Sequence, residues 1–182
     1  MEEQKTCCFT GHRPKSLPWG TNESQPSCVQ LKELLRQEIE RLITEQGVRH
    51  FITGMAIGID LIAARIVLEL KEKYPFITLE SAIPYEEQAA HWTAVQREEY
   101  YQIATQCDKE TMLQGAYSPG CLRRRNEYMV KQSAHVLAVW NGKASGTAQT
   151  VLYARGRKRS LTIISPDALE ITRENQLNTA RQ

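Results

Sequence analysis

Binding an anion takes donors that face outward from a rigid frame, and several short stretches of this chain supply them. Thr10-Gly11-His12-Arg13 sets a hydroxyl, an imidazole and a guanidinium around a glycine. The guanidinium of Arg13 can pair bidentately with a phosphate. Gly54-Met55-Ala56-Ile57-Gly58 is a small-residue turn, with Asp60 just beyond it. Asp60 can accept a sugar hydroxyl, or simply complement a helix dipole as an acid in the first turn. Asn141-Gly142-Lys143-Ala144-Ser145-Gly146-Thr147 is a second such turn. Where a turn of this kind opens a helix, backbone N–H groups can approach an anion and the helix end adds roughly half a positive charge. Arg123-Arg124-Arg125-Asn126 is the densest run of positive charge, and Arg155, Arg157, Lys158 and Arg159 form a second cluster. Consecutive arginines on a helix point around more than half its circumference, so only one or two face any single site.

Each stretch also has a purely structural reading. Glycine turns ahead of helices serve tight strand-to-helix packing, and Gly54 to Gly58 fits that reading as well as it fits ligand approach. Trp92 suits a core at least as well as a stacking platform. Neither turn is a Walker A loop or a strict Gly-x-Gly-x-x-Gly fingerprint. The cysteines at 7, 8, 28, 107 and 121 show no metal-ligand spacing, so no zinc site and no disulfide framework are expected. Reduced thiols in a cytoplasm are the economical reading.

The elements that must hold these residues alternate along the chain. Strands are expected over residues 5–10, 48–53, 76–82, 109–113, 134–140 and 161–164. Between them, residues 29–46 show leucines and isoleucines at helical spacing, with Gly47 suited to the position after the helix end. The clearest periodicity is Ile59, Ile62, Ala63, Ile66, Val67 and Leu70, closed by Lys71 and Lys73. Residues 86–107 read as a loop entering a helix, with Trp92, Val95, Tyr100 and Ile103 as core contacts. Further helices are expected over 120–133 and 146–155, the latter closed by Gly156. A Pro/Gly/Ser/Asn-rich loop over 14–27 is long for a compact domain, and such loops are usually functional.

Strands separated by helices of this length imply βαβ units, hence one α/β domain: a doubly wound, Rossmann-like sheet, mostly parallel and covered by helices on both faces. Ligands of such sheets bind beyond the carboxyl ends of the strands, which puts the turns after residues 10, 53, 83 and 140 on one rim. With 182 residues, 41% of them hydrophobic, a single core is expected, over 1–166, followed by a polar tail over 167–182. A net charge of +2 excludes bulk charge as a reason to bind nucleic acid or membranes; any such role needs a local patch. No apolar run reaches membrane-spanning length and no secretory leader is seen, so a cytoplasmic protein without membrane partners is expected.

Thr10-Gly11-His12-Arg13-Pro14, Thr53-Gly54-Met55-Ala56-Ile57-Gly58-Ile59-Asp60, Ile83-Pro84-Tyr85 with Gln88 and Trp92, Arg125-Asn126 and Ser145-Gly146-Thr147 occur in that order. This ordered set resembles the YpsA/YoqJ-like family within the SLOG superfamily, over about residues 5–165. The superfamily also holds the DNA-processing protein DprA and the LOG proteins, and DprA-like chains carry a similar Gly-x-Ala-x-Gly-Ile-Asp turn and Arg-Asn pair. The resemblance implies a Rossmann-like fold and a nucleotide or nucleotide-derived ligand, such as an ADP-ribose-like molecule, on the strand-end rim. It singles out Gly54, Ala56, Gly58, Asp60, Arg125, Asn126, Gly146 and Thr147. Thr10, Gly11, His12, Arg13, Gln88 and Trp92 follow as members of the narrower pattern, and Gly142 and Ser145 complete the expected phosphate turn.

One departure bears on activity. LOG-type hydrolases carry Pro-Gly-Gly-x-Gly-Thr-x-x-Glu, whereas here Thr150 stands at the glutamate position and its neighbour Gln149 cannot ionise. An N-glycosidic cleavage assisted by that carboxylate would lack its acid/base. The expectation is therefore a binding module acting as sensor or regulator, with no catalytic residue assigned and no metal or further cofactor. A nucleotide N-glycoside hydrolase and a single-stranded DNA binder of the DprA kind are the alternatives. Sheets of this class often pair into homo-oligomers, although no surface is assigned.

Overall fold

The computed structural model describes residues 3–175. Their chain order is β1 (Thr6–Gly11), α1 (Pro26–Glu45), β2 (His50–Thr53), α2 (Ile59–Lys73), β3 (Thr78–Ile83), α3 (Ala94–Ala104), β4 (Lys109–Met112), α4 (Cys121–Lys131), β5 (His135–Val139), α5 (Gly146–Gly156), β6 (Ser160–Ile164) and β7 (Ile171–Glu174). One sheet runs β4-β3-β2-β1-β5-β6-β7. All its pairs are parallel except β6 with β7. Parallel neighbours need long crossovers, and a helix supplies each one. The direction of strand addition reverses between β1 and β5, so the carboxyl ends of these two strands flank the crevice where such sheets take ligands.

Period-two alternation along β1 divides the interior. Cys7 and Phe9 pack with Leu31, Leu35, Ile62 and Val67, while Cys8 packs with Ile52, Met129, Val136 and Val151. The first group belongs to the α1–α2 side and the second to the α4–α5 side. Every apolar residue of the expected α2 stripe is buried, and Leu61 and Ala64 with them, because α2 lies between α1, α3 and the sheet. A helix enclosed on that many sides carries little solvent face, which is why its signal is the strongest in the chain.

Several elements differ from expectation. Helix α1 starts at Pro26, whose fixed φ and missing N–H suit a first turn. The expected long loop is consequently shorter, and it is anchored: Leu17 and Trp19 are buried, and Glu23 bonds Arg65 at 2.6 Å and Lys32 at 2.5 Å. Val95 is 79% exposed rather than a core contact. It sits in the first turn of α3, behind a capping box formed by Thr93 and Gln96, whereas Tyr100 and Ile103 one and two turns on are buried. At the end of α5, Lys158 takes the left-handed backbone, at φ 55°, and Gly156 remains helical.

The stretch read as a polar tail contributes a strand. Residues 171–174 pair antiparallel with β6, Ile171 opposite Ile164 and Glu174 opposite Leu161. Arg173 bonds Glu38 of α1, and Glu174 bonds Arg155 of α5 at 2.7 Å. An edge strand held by ion pairs on both faces shows no alternating apolar pattern to read. The rest of that tail, 176–182, lies outside the described residues. Among the described residues no helix is long and apolar enough to cross a membrane.

Candidate functional site: the cleft at the strand reversal

A cleft of about 460 Å³ opens over the carboxyl ends of β1 and β5. It gathers eleven of the residues singled out from the sequence: Thr10, Gly11, His12, Arg13, Ala56, Asp60, Arg125, Asn126, Ser145, Gly146 and Thr147. Lys15, Ser16, Leu122 and Ala144 complete the lining. Of these, Lys15 had a visible signal, a second cation two residues past Arg13 in the same loop; Leu122 had none.

The floor is a buried charge pair. Asp60 and Arg125 are only 6% and 4% exposed. Asp60 accepts from the Ala56 N–H at 3.3 Å, and Arg125 donates from Nη1 to the Gly54 carbonyl and from Nε to Asn126 Oδ1 at 2.7 Å. Burial pushes the Asp60 carboxyl above its ordinary value while the Arg125 charge pulls it back. Burial likewise lowers the Arg125 guanidinium, with Asp60 opposing. A Cβ on Gly54 would lie 2.5 Å from Arg125 Nη1 and 2.7 Å from Asp60 Oδ2, and one on Gly58, at φ 97°, would lie 2.6 Å from the His12 carbonyl oxygen. These two glycines therefore serve close packing beneath and beside the cleft, and neither lines it.

One wall is the end of β1. His12 is buried, and its Nε2 lies 3.1 Å from the backbone nitrogen of Asn141. A backbone N–H only donates, so Nε2 accepts and the ring proton sits on Nδ1. Burial lowers the His12 pKa and favours this neutral form. Arg13 and Lys15 follow, both exposed, and bring positive charge to the rim.

The opposite wall is the start of α5. The first four N–H groups of a helix have no intrahelical acceptor. Ser145, the N-cap, takes the Ala148 N–H on its hydroxyl at 3.1 Å, and its carbonyl takes that of Gln149. The Gly146 and Thr147 amides are left to whatever occupies the cleft, with the helix dipole behind them. A Cβ on Gly146 would meet nothing within 4 Å, so this glycine borders open space.

Other expected residues lie elsewhere. Gln88 is buried one layer away, its amide 3.4 Å from the Gly54 and Met55 carbonyl oxygens. Trp92 packs edge-on against Tyr100, ring centroids 5.5 Å apart, as a half-buried side chain at the margin of the core. Gly142 takes the left-handed position of its turn, at φ 82°, outside the lining. Thr150, at the LOG glutamate position, is buried and donates to the Gly146 carbonyl at 3.0 Å, so Asp60 is the sole carboxylate in the described lining.

The two basic clusters do not merge into one strip. Arg123 bonds Glu127 at 2.9 Å, Arg124 bonds Gln114 at 2.8 Å, and Arg125 is in the floor. The second cluster sits at the far end of α5, about 16 Å from the cleft at 1.5 Å per residue. Arg155 is paired there with Glu174, and Arg159 donates to the Lys131 carbonyl at 3.1 Å. No group of three His, Cys, Asp or Glu among the described residues could hold a metal ion.

A strand-end cleft at the reversal of a parallel, doubly wound sheet places the chain among Rossmann-like domains. The family model YpsA, described as the YspA SLOG family, matches residues 7–169, and the chain belongs to that family. It is 34% identical over 142 residues to the SPbeta prophage-derived protein YoqJ of Bacillus subtilis, covering 71% of this chain and 83% of that one. A UPF0398 protein of Halalkalibacterium halodurans is 30% identical over 182 residues, covering 96% and 95%. Two solved structures share the fold at 15% identity. DprA of Streptococcus pneumoniae superposes with a TM-score of 0.59 over 87% of this chain and 50% of that one. DprA of Helicobacter pylori, described with a single-stranded DNA binding mode, superposes with a TM-score of 0.61 over 97% and 71%.

Proposed function

We propose that this protein binds the phosphate of a nucleotide or nucleotide-derived ligand, such as ADP-ribose, in the strand-end cleft, as a sensor or regulatory module. The observation that carries this reading is the start of α5, where the Gly146 and Thr147 amides face an open cleft whose other wall presents Arg13 and Lys15. Helix N-terminal amides and a nearby guanidinium are the elementary parts of a phosphate site. The Nδ1–H of His12 and the Asn126 amide add neutral donors for ester or sugar oxygens. Binding is favoured over LOG-like hydrolysis because Thr150 replaces the motif acid and the cleft's one carboxylate, Asp60, is buried, accepts from the Ala56 N–H and lies in the field of the Arg125 charge.

The test is a thermal-shift screen of the purified protein against nucleoside phosphates, ADP-ribose, NAD and short single-stranded DNA. A ligand at 100 times its Kd adds about 2.7 kcal/mol of stability, a readable shift. Gly146→Asp should abolish the shift by setting a negative charge against the phosphate, and the open space at that Cβ lets the variant fold. Unchanged binding by Gly146→Asp would sink the proposal.

Single-stranded DNA is the second reading, favoured by the binding mode named for the Helicobacter pylori DprA. Its phosphates would meet the same cleft, with Arg13 and Lys15 as the nearest cations. A shift with oligonucleotide alone in the same screen would put this reading first.

A further inference from the structure

A groove of about 400 Å³ runs between α4 and α5, lined by Asn126, Arg123, Glu127, Gln149, Thr150, Leu152 and Tyr153. Asn126 belongs to this groove and to the strand-end cleft alike. Along α5 the two linings also follow one another, Gly146 and Thr147 in the cleft and Gln149 and Thr150 about one turn on. We infer that the groove is the base subsite of the proposed ligand, which makes that ligand a nucleoside phosphate with a purine-sized heterocycle rather than a sugar phosphate. The inference rests on the phosphate reading above.

The chemistry of the groove fits a heterocycle. Leu152 is 60% exposed, an apolar side chain lying in a groove that the described residues leave uncovered, and the Tyr153 ring adds a flat apolar surface beside it. An aromatic base covers such surface without leaving polar groups unpaired, because its edge carries donors and acceptors. Arg123 Nε donates to one Glu127 oxygen at 2.9 Å and holds that carboxylate in place, so its other oxygen accepts from an amino group on the base. The Gln149 amide supplies both a donor and an acceptor. At the junction, Asn126 Oδ1 is taken by Arg125, which turns its NH2 toward the sugar that must span the two compartments.

Calorimetric titration of the intact protein with AMP, GMP and ribose 5-phosphate separates the subsite from the phosphate site. The purine nucleotides should bind about ten-fold tighter than the sugar phosphate, the scale of one base stacked on a side chain. Leu152→Glu should bring the nucleotides down to the sugar-phosphate level and leave ribose 5-phosphate unchanged, and Leu152→Met should keep the difference. Gly146→Asp should weaken all three. Equal binding of nucleotide and sugar phosphate by the wild type, or equal weakening of both by Leu152→Glu, overturns the base subsite while the phosphate reading stands. Failure of all three ligands to bind the wild-type protein overturns the base subsite, and the phosphate reading falls with it when the wider screen of nucleoside phosphates, ADP-ribose and NAD gives no shift.

Discussion

The Asp60 carboxylate and the Arg125 guanidinium lie side by side under Gly54, brought together from the start of α2 and the middle of α4. Both are almost fully buried, and a Cβ on Gly54 would fall within 2.7 Å of each. Asp60 accepts from the Ala56 N–H and Arg125 donates to the Gly54 carbonyl, so the two helices that flank β1 from opposite faces of the sheet meet at this one turn, which sets where the cleft floor lies.

That geometry makes the floor intolerant of change. Gly54→Ala should cost about 1–3 kcal/mol, the usual range for forcing atoms into a packed site. Arg125→Met should cost more, about 3–5 kcal/mol, because it strands a buried carboxylate. Adding Asp60→Asn to it should recover part of the loss, since the stranded group is then neutral. Urea denaturation of these variants and of Asp60→Asn alone measures this. Additive losses in the double variant would show that the two groups do not interact.

His12 should be neutral, protonated on Nδ1, at pH 7. Its folded pKa lies below the ordinary 6.5, so the unfolded chain takes up protons first as pH falls. Stability linked to His12 is therefore complete above about pH 6.5 and declines as pH drops toward the folded value. Buried His135 is shifted the same way and contributes in the same window. His12→Gln, which retains an acceptor for the Asn141 N–H, should flatten part of the slope. Nitrogen NMR shifts of the ring report the tautomer directly, and a proton on Nε2 would contradict the bond to Asn141.

Glu80 governs a lower pH range. This carboxylate is 1% exposed and accepts from His50 Nε2, Thr111 Oγ1 and Tyr128 OH, each at 2.7 Å, and from Lys109 Nζ at 3.2 Å. These donors hold its pKa down from the usual 4.5 to about 2 against the opposing effect of burial. The stabilisation is fully present above about pH 4.5 and is lost as pH falls toward 2. Its size is on the order of 3 kcal/mol at 1.36 kcal/mol per unit. Glu80→Gln should remove its own share of the stability change between pH 4.5 and 2, leaving that of Glu23, Glu38, Asp108 and Glu174, and lower stability at pH 7. A parallel acid-unfolding curve for the variant would rule this account out.

How much of this was visible in the sequence depends on the range of the interaction. Ile59, Ile62, Ile66 and Leu70 announce α2 because helical periodicity is local and one wall of the core is continuous. The rim turns were legible for the same reason, as ends of strands. What Gly54 is for was not, since its constraint comes from Arg125, 71 residues away. The His12 tautomer is set by Asn141, at a separation of 129 residues. Trp92 and Gln88 belong to the same ordered pattern as the cleft residues, yet Gln88 bonds the Gly54–Met55 turn that supports the cleft and Trp92 packs on Tyr100 of α3. Strand β7 escaped because Arg173 and Glu174 hold it through long-range ion pairs instead of an apolar face.

The rim and the far end of α5 make opposite predictions for single-stranded DNA. If phosphates are held in the cleft, replacing Arg13 and Lys15 with alanine should weaken binding at every sequence. The slope of log affinity against log salt should then become shallower by about 0.7 for each phosphate that is no longer neutralised. Replacing Arg157 and Lys158, both exposed and remote from the cleft, should leave affinity and slope nearly unchanged. Arg155 and Arg159 are poorer probes of the remote cluster, because one pairs with Glu174 and the other bonds a backbone carbonyl, so removing either would disturb the fold. Salt titrations with a labelled oligonucleotide measure both variants. A slope change confined to the Arg157 and Lys158 variant would move any DNA binding off the strand-end cleft and onto the opposite end of the sheet.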